Sequence, residues 1–566
     1  MNYTWNFKPL PPQATVIQLQ QELNISEPLA ILLAQRGITT FQQAKDFFRP
    51  TLSQLHNPFL MKGMQAAVTR LDHALKNNET ILIYGDYDVD GTSAVSLMER
   101  YLSTFTSKLF TYVPDRYSEG YGISFQGIDY AEAQGCTLII ALDCGIKAID
   151  KVQYAKEKGI DCIIADHHRP SDQVPDAVAV LDPQQADCPY PYKELCGCGL
   201  GFKLAQAYHE YLQRPFSELM PLLDLVAVAT AADIVPMNGE NRTLMYFGLE
   251  VINQQPSAGV KALFGEHQGA ITVSDVVFKA APRINAAGRI EHGKYAVALL
   301  TEPDAEKALL KAQEIDELNT HRKELDSYIA EQALGQIESN GEQNRYTSVV
   351  LNEEWHKGII GIVASRVTEQ YYRPAVVLTR SGDMATGSAR SVTGFDVYKA
   401  VQSCADLLEN FGGHTYAAGL TLRVDKVPEF SQRFEAYVAE HILDEQTQPT
   451  LDITAVLDFN EVNFDFYKQL RKFAPFGPGN ERPLFCTHRV YDYGTSKVVG
   501  RGQEHIRLEL VDNKSNAVMN GIAFGQSSQA RYIKTRRAFD ICYAVEENTH
   551  KRGEVQLQIE DIRPCE

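Results

Sequence analysis

Apolar positions in the first half of the chain come in short unbroken runs rather than in alternation. Ile81 to Tyr84, Cys136 to Leu142, Cys162 to Ala165 and Ala177 to Leu181 each read as a strand buried on both faces. Stretches with helical spacing separate several of them, for example Thr92 to Leu102, which is entered through a hydroxyl. Strands of this kind, joined by helices, predict an α/β fold with a parallel sheet covered on both sides. Each run ends in acid or imidazole: Asp86, Asp88 and Asp90 after the first, Asp143 after the second, Asp166-His167-His168 after the third, and Asp182 after the fourth. In open α/β sheets that edge is where ligands bind.

The pattern changes along the chain. Residues 1–50 read as an N-terminal helical segment, with a capped helix start near Gly37-Ile-Thr-Thr-Phe-Gln-Gln-Ala and no chemistry of their own. Leu60 to Leu75 is amphipathic and leads into the first strand, within a domain expected to span 51–300. From Glu302-Pro-Asp304 to about Glu338, Ala308, Ala312, Ile315, Leu318, Leu325 and Ile329 keep a three-to-four spacing. This predicts a connector helix within 301–345, with Pro303 in its first turn. Residues 346–445 read as a second α/β domain, with strands at Thr347 to Leu351, Pro374 to Leu378 and Leu420 to Val424. Residues 446–566 hold short strand-like runs at Phe485 to Tyr493, Ile506 to Val511, Val518 to Phe524, Phe539 to Val545 and Val555 to Ile559, which suggests an OB-type β-barrel.

The 566 residues suffice for several cores, and 44% apolar with 22% charged residues is an ordinary globular balance. No run approaches the length of a membrane span and the first residues lack a signal-peptide pattern, so a cytoplasmic protein without membrane attachment is expected. The ten cysteines are scattered, which suits reduced thiols; Cys188, Cys196 and Cys198 lack the paired spacing and fourth ligand of a zinc site. A net charge of −18 argues against a general nucleic-acid coat but leaves room for a narrow basic track.

Three acids at one strand end repel one another unless cations sit among them. With Asp143, the Asp-His-His and a further acid, Asp233, after the apolar helix Leu222 to Ala232, they point to a two-metal centre. Oxygen-rich ligands with one imidazole suit Mn2+ or Mg2+ better than Zn2+. Elsewhere, Arg116 lies in a polar, Gly-bearing loop, and Arg283 and Arg289 flank a small-residue stretch where backbone can approach a ligand. His356 precedes a helix start, Ser388, Arg390 and Ser391 belong to an extended segment, and Gly412-Gly413-His414 forms a second close-approach loop; all are candidate substrate contacts. Arg531-Tyr-Ile-Lys-Thr-Arg-Arg537 interleaves basic and aromatic character on the barrel, as single-strand binders do.

In order, Tyr84-Gly-Asp-Tyr-Asp-Val-Asp-Gly91, Asp143-Cys-Gly145, Asp166-His167-His168 and Ala232-Asp233 resemble the four motifs of DHH phosphoesterases. Val113-Pro-Asp-Arg116, Pro282 to Arg289, Gly387 to Ser391, Gly412-Gly-His414 and Pro475 to Pro483 are similar to the RecJ exonuclease family within them. The resemblance implies a DHH metal-binding catalytic domain, a DHH-associated substrate-binding domain and an OB-like single-strand-binding domain. It implies 5′→3′ hydrolysis of single-stranded DNA to 5′-mononucleotides in recombination and repair, with a single-strand DNA-binding protein and a RecQ-type helicase as partners. Asp143 would bridge two metals, Asp88 and Asp90 would bind one each, and His167 and Asp233 would complete the set. His168 would stand near the scissile phosphate, and Asp86 would be an additional ligand candidate. A monomer is expected. The competing readings are a phosphodiesterase of nano-oligonucleotides or cyclic dinucleotides, a pyrophosphatase, and a non-catalytic scaffold; a second single-strand platform and intact ligand positions disfavour them.

Overall fold

A computed structural model describes residues 3–548, 551 and 553–565; residues 1–2 and 566 of the expected terminal segments lie outside these. The chain forms two compact units, one of residues 1–51, 448–476 and 480–566, the other of 52–447 and 477–479.

The first unit begins with β1 (Thr4–Phe7), a strand not evident in the sequence pattern. The second holds five parallel strands, β2 (Thr80–Gly85), β3 (Leu109–Tyr112), β4 (Cys136–Leu142), β5 (Asp161–Ala165) and β6 (Ala179–Leu181), in the order β3-β2-β4-β5-β6. β2 and β4 are buried along almost their whole length, which is why their side chains are apolar without alternation. One face of the sheet packs under the helices Val89–Leu102, Gly197–Tyr211 and Leu223–Ala232.

The connector is a single 35-residue helix, Ala305–Ser339. Asp304 caps it through the Lys307 amide, so Pro303 stands before the helix rather than in its first turn. Ala308, Ala312 and Ile315 join the core of the parallel sheet, while Ile329, Ala333 and Ile337 join a separate core with Trp355 and Val363. The helix is therefore glued at both ends to different cores.

Beyond it, β7 (Ser348–Asn352), β8 (Ala375–Ser381), β9 (Met384–Arg390), β10 (Leu408–His414) and β11 (Ala417–Arg423) form a mixed sheet in the order β10-β11-β9-β8-β7. Only β7 and β8 run parallel. Gly412 and Gly413 were expected in a loop; they end strand β10 instead, where a Cβ on Gly413 would meet Ala418.

The chain then returns to the first unit with β12 (Thr450–Val456), β13 (Leu484–Asp492), β14 (Lys497–Val499), β15 (His505–Asp512), β16 (Val518–Ala523), β17 (Phe539–Glu547) and β18 (Val555–Pro564). Pairings β13–β17, β17–β18, β18–β16, β16–β15 and β15–β13 close a five-stranded barrel. These are the five runs marked in the sequence. The N-terminal helices are not a free segment: Val16, Leu19, Leu29 and Leu33 share a core with Phe485, Phe539 and Tyr543, and β1 pairs with β12. The 531–537 segment begins in a short helix, Ala530–Ile533, with Ile533 buried. All ten cysteines are free, and no described helix is long and apolar enough to cross a membrane.

Candidate metal and phosphate site

Sheet order brings the strand ends together. Asp86 follows β2, Asp143 follows β4 and His167 follows Asp166 at the end of β5, three adjacent strands. Asp88 caps the 89–102 helix through the Gly91 amide at 3.0 Å. Asp233 stands at the C-terminal end of the Leu223–Ala232 helix. His167 Nε2 is 3.2 Å from Asp143 Oδ1, 3.5 Å from Asp233 Oδ2 and 3.8 Å from Asp90 Oδ2. Among the described residues, the atoms of Asp143, His167 and His168, and those of Asp90, His167 and Asp233, form two groups compact enough to hold an ion.

Burial makes this cluster electrostatically costly. Desolvation, then repulsion from Asp90, Asp88 and Asp233, drives the Asp143 carboxyl well above its ordinary range. Desolvation, then the charges of Asp90 and Asp88, push Asp233 up to about 9. Asp86 is likewise raised, by burial first and Asp88 second. Both oxygens of Asp86, Asp143 Oδ1, Asp233 Oδ2 and His167 Nε2 are buried without a hydrogen-bond partner among the described residues. Native proteins satisfy nearly all such atoms, so this set of bare carboxylate and imidazole donors fits divalent cations. Asp90 differs: its oxygens accept the Gly197 amide at 2.6 Å and the Cys198 amide at 2.8 Å, at the start of the 197–211 helix.

The second histidine is held separately. His168 Nδ1 lies 2.7 Å from Asp166 Oδ1, and the Tyr121 hydroxyl is 3.2 Å from the ring. Burial opposes its charge, but the bond to Asp166 together with the charges of Asp166, Asp88 and Asp90 outweighs it and the His168 pKa is raised. The Tyr121 hydroxyl also donates to Asp143 O at 3.0 Å, tying the loop after β3 to the acid centre. Asp143 itself has φ 59, and a Cβ on Gly197 would lie 2.7 Å from Asp143 Cα; only glycine lets that helix start press on this turn.

Beside the acids stands a group of guanidiniums. Arg116 stacks on Tyr87 at 4.0 Å, with its Nε buried and unpartnered among the described residues. Arg289 is pushed down to about 10 by burial and then by Arg116, Arg390 and Arg322. Arg390 Nη1 donates to Ser388 Oγ at 2.7 Å, and a Cβ on Gly361 would lie 3.0 Å from Arg390 Nη2. Arg289 reaches Gly358 O at 3.1 Å, and the Tyr117 hydroxyl donates to Arg289 O. Crowded like charges with little local compensation make an anion site. The His356 ring lies 6.0 Å from that of Tyr117, edge to face, while His414 is exposed and feels the charges of Arg390 and His168.

Other expected contacts fall elsewhere. Arg283 is paired with Asp316 at 2.6 Å and donates to Leu263 O, so it ties helices together instead of facing the site. The small-residue stretch is helical, a short π-helix, Val276–Ala280, running into the helix Ala281–Ile290; its close approach, at Gly288, is to Tyr87 O. Ser391 spends its hydroxyl on Phe395 O. Tyr121 lies in the same Gly-bearing loop as Arg116, whereas no sequence signal marks Arg322 or Gly197.

The fold and this site can be set beside known proteins. Residues 80–230 match the DHH family, N-terminal domain, residues 343–440 the DHHA1 domain and residues 453–561 the RecJ OB domain. The single-stranded-DNA-specific exonuclease RecJ of Salmonella typhimurium is 32% identical over 556 residues, 94% of this chain and 95% of that protein. The chain belongs to the RecJ family. RecJ of Bacillus subtilis is 34% identical over 98% of this chain and 70% of its own length. The crystal structure of RecJ in complex with Mn2+ from Thermus thermophilus superposes with a TM-score of 0.86 at 27% identity, covering all of this chain and 80% of that one. The complex of the same RecJ with Mg2+ gives 0.79 at 26% identity, covering all of this chain and 79% of that one.

Proposed function

We propose that this protein is a single-strand-specific DNA exonuclease that works from the 5′ end, releases 5′-mononucleotides and serves recombination and DNA repair. The observation that carries the reading is the set of bare, buried donor atoms on Asp86, Asp143, His167 and Asp233 beside the guanidiniums of Arg116, Arg289 and Arg390. RecJ relatives bearing the name single-stranded-DNA-specific exonuclease, and a RecJ structure holding Mn2+, agree with it.

Asp143, between Asp88, Asp90, Asp233 and His167, is the residue suited to bridge two divalent ions, Mn2+ or Mg2+. When bound, these ions supply an acidified water and offset charge on the phosphate. Asp86 and Asp88 add their charges around Asp143, His167 stands within 3.5 Å of both Asp143 and Asp233, and Asp90 contributes as a carboxylate anchored by two amides. His168, charged against Asp166, keeps a proton available for the departing 3′ oxygen. Arg116, Arg289, Ser388 and Arg390 bind a terminal 5′-phosphate, whose second negative charge an internal phosphodiester lacks; that difference sets the polarity. The barrel follows the single strand, delivered by a single-strand DNA-binding protein and a RecQ-type helicase.

The test is product release from 5′- and 3′-labelled single strands with Mn2+, Mg2+ or EDTA, beside Asp143→Ala. Mononucleotides from the 5′ end, abolished by EDTA and by the substitution, are expected. Turnover restricted to fragments of a few nucleotides would replace this reading with a small-substrate phosphodiesterase.

A further inference from the structure

A groove of about 240 Å3 follows one face of the helix Ala281–Ile290. Ala281, Asn285 and Arg289 line it at successive turns, each about 6 Å further along the helix axis. Ala232 and Ile234, the two neighbours of Asp233 in the chain, line it as well. Arg289 is itself a member of the guanidinium group, so the groove starts from the phosphate pocket and passes beside the backbone that carries Asp233. Its volume is below the about 300–1,000 Å3 of pockets that enclose a whole small ligand, and suits part of a nucleotide.

The polarity of the groove changes along its length. Arg322 lines it and adds its charge to Arg289, so its two cations stand together. Two helical turns away the lining is apolar, Val277, Ala281 and Pro282. Between them the Asn285 amide, half-buried, makes no hydrogen bond among the described residues. Ile234 is the unusual member. Its φ of 59 is left-handed, a conformation in which a β-branched residue is an outlier, and the residue is 75% exposed. Such backbone strain costs about 1–3 kcal/mol, and an exposed isoleucine offsets none of it by burial. The strain holds a large apolar side chain at the edge of the groove, where the fold gives it little to pack on.

We infer that this groove seats the nucleoside of the strand's 5′-terminal residue, with the base packed on Ile234 and its edge hydrogen-bonded to Asn285. The inference rests on the exonuclease reading. A 5′-phosphate on Arg289 leaves the nucleoside it carries one helical turn from Asn285, in the direction in which the groove becomes apolar. The 3′ oxygen of that nucleoside must lie at the acid cluster, and the groove keeps beside Asp233. An amide presents both a donor and an acceptor, and by turning over it matches the edge of any of the four bases. The subsite therefore requires a base without selecting one, and it separates a nucleotide end from a bare sugar phosphate.

Titration calorimetry on the full chain with Mn2+, using dAMP and 2-deoxyribose 5-phosphate as probes, tests this. Both carry the phosphate and only one carries a base. The unaltered protein should bind dAMP about tenfold more tightly, the worth of one hydrogen bond and a packed apolar face. Asn285→Ala and Ile234→Ala should each weaken dAMP severalfold and leave the sugar phosphate unchanged. Neither removes a side-chain hydrogen bond of the fold, and alanine is the better helix former at 285, so melting temperatures should hold. Equal affinity of the unaltered protein for the two probes, unchanged dAMP binding in both variants, or equal losses on both probes would overturn the base subsite. On strands, a 5′-phosphorylated abasic end should be removed more slowly than a nucleotide end, and both variants should narrow that gap; no gap in the unaltered protein would count against the subsite. Absence of strand degradation by the unaltered protein would sink the exonuclease reading instead, and the ratio of the two probe affinities would still decide the groove.

Discussion

His167 Nε2 lies 3.2 Å from Asp143 Oδ1, and neither atom has a hydrogen-bond partner among the described residues. Two buried acceptor-type atoms at that distance repel unless a proton or a cation lies between them. In the metal-free protein a proton does this, because burial and then neighbouring acids raise the Asp143 carboxyl.

The sign of the resulting pH dependence follows. Asp86, Asp143 and Asp233 bind protons more tightly folded than unfolded, Asp233 up to about 9. The contribution of these three groups to stability is therefore greatest below the unfolded carboxylate pKa, about 4, and falls as pH rises towards 9, at up to about 1.4 kcal/mol per unit for each such group. Metal-free protein should melt at progressively lower temperature from about pH 6 to about pH 8.5, a window inside that range. Added Mn2+ should restore stability most at the upper end and release protons measurable by calorimetry in buffers of different ionisation enthalpy. A melting temperature that is flat across this range, with no metal effect, would contradict the cluster as described.

Asp86 and Asp90 should separate by substitution. Asp90→Ala leaves the Gly197 and Cys198 amides unpaired in a buried helix start, at about 1–3 kcal/mol each, and should destabilise the protein even without metal. Asp86→Ala removes bare oxygens and a repelling charge, so the metal-free protein should hold or gain stability while the Mn2+-induced rise shrinks. Melting curves with and without Mn2+ distinguish the two.

Much of this site is legible in the sequence because strand ends are positions that topology fixes. Once Ile81–Tyr84, Cys136–Leu142 and Cys162–Ala165 are read as neighbouring parallel strands, Asp86, Asp143 and His167 must share an edge. Residues on helix faces are harder. Arg283 and Arg289 look equivalent in the chain, yet six positions on an α-helix place them about 120° apart around the axis. One faces Asp316 and the other the guanidinium group. Arg322 enters through the packing of the long connector helix, which no local pattern specifies. The N-terminal helices escaped assignment to the barrel because their partners, such as Phe485 and Tyr543, lie more than 400 positions away.

Gly197→Ala tests how closely the 197–211 helix is fitted to the acid turn. The new Cβ would lie 2.7 Å from Asp143 Cα and 2.8 Å from its Oδ1, with backbone on both sides, so one element must shift. Overpacking of this kind costs about 1–3 kcal/mol. The larger effect should fall on function: Asp143 moves, and the Mn2+-dependent stabilisation and strand degradation both drop well beyond what the loss of stability explains. Wild-type metal response in a merely destabilised variant would show that the contact matters only for packing.

Arg390→Ala is the sharpest test of polarity. Arg390 is joined to Ser388 at 2.7 Å and adds its charge to Arg289, so its removal empties one side of the proposed phosphate pocket. Removing it relieves like-charge repulsion, and the fold should be no less stable. A terminal phosphate carries close to two charges and an internal phosphodiester one. The substitution should therefore weaken 5′-phosphorylated strands by about tenfold to a hundredfold, the worth of one or two charge-assisted hydrogen bonds. Strands with a 5′-hydroxyl should lose far less, so the preference between the two ends narrows. Competition assays with both ends on one sequence measure that ratio directly. Equal losses on the two would mean that Arg390 grips the strand's backbone generally and that the 5′ end is selected elsewhere.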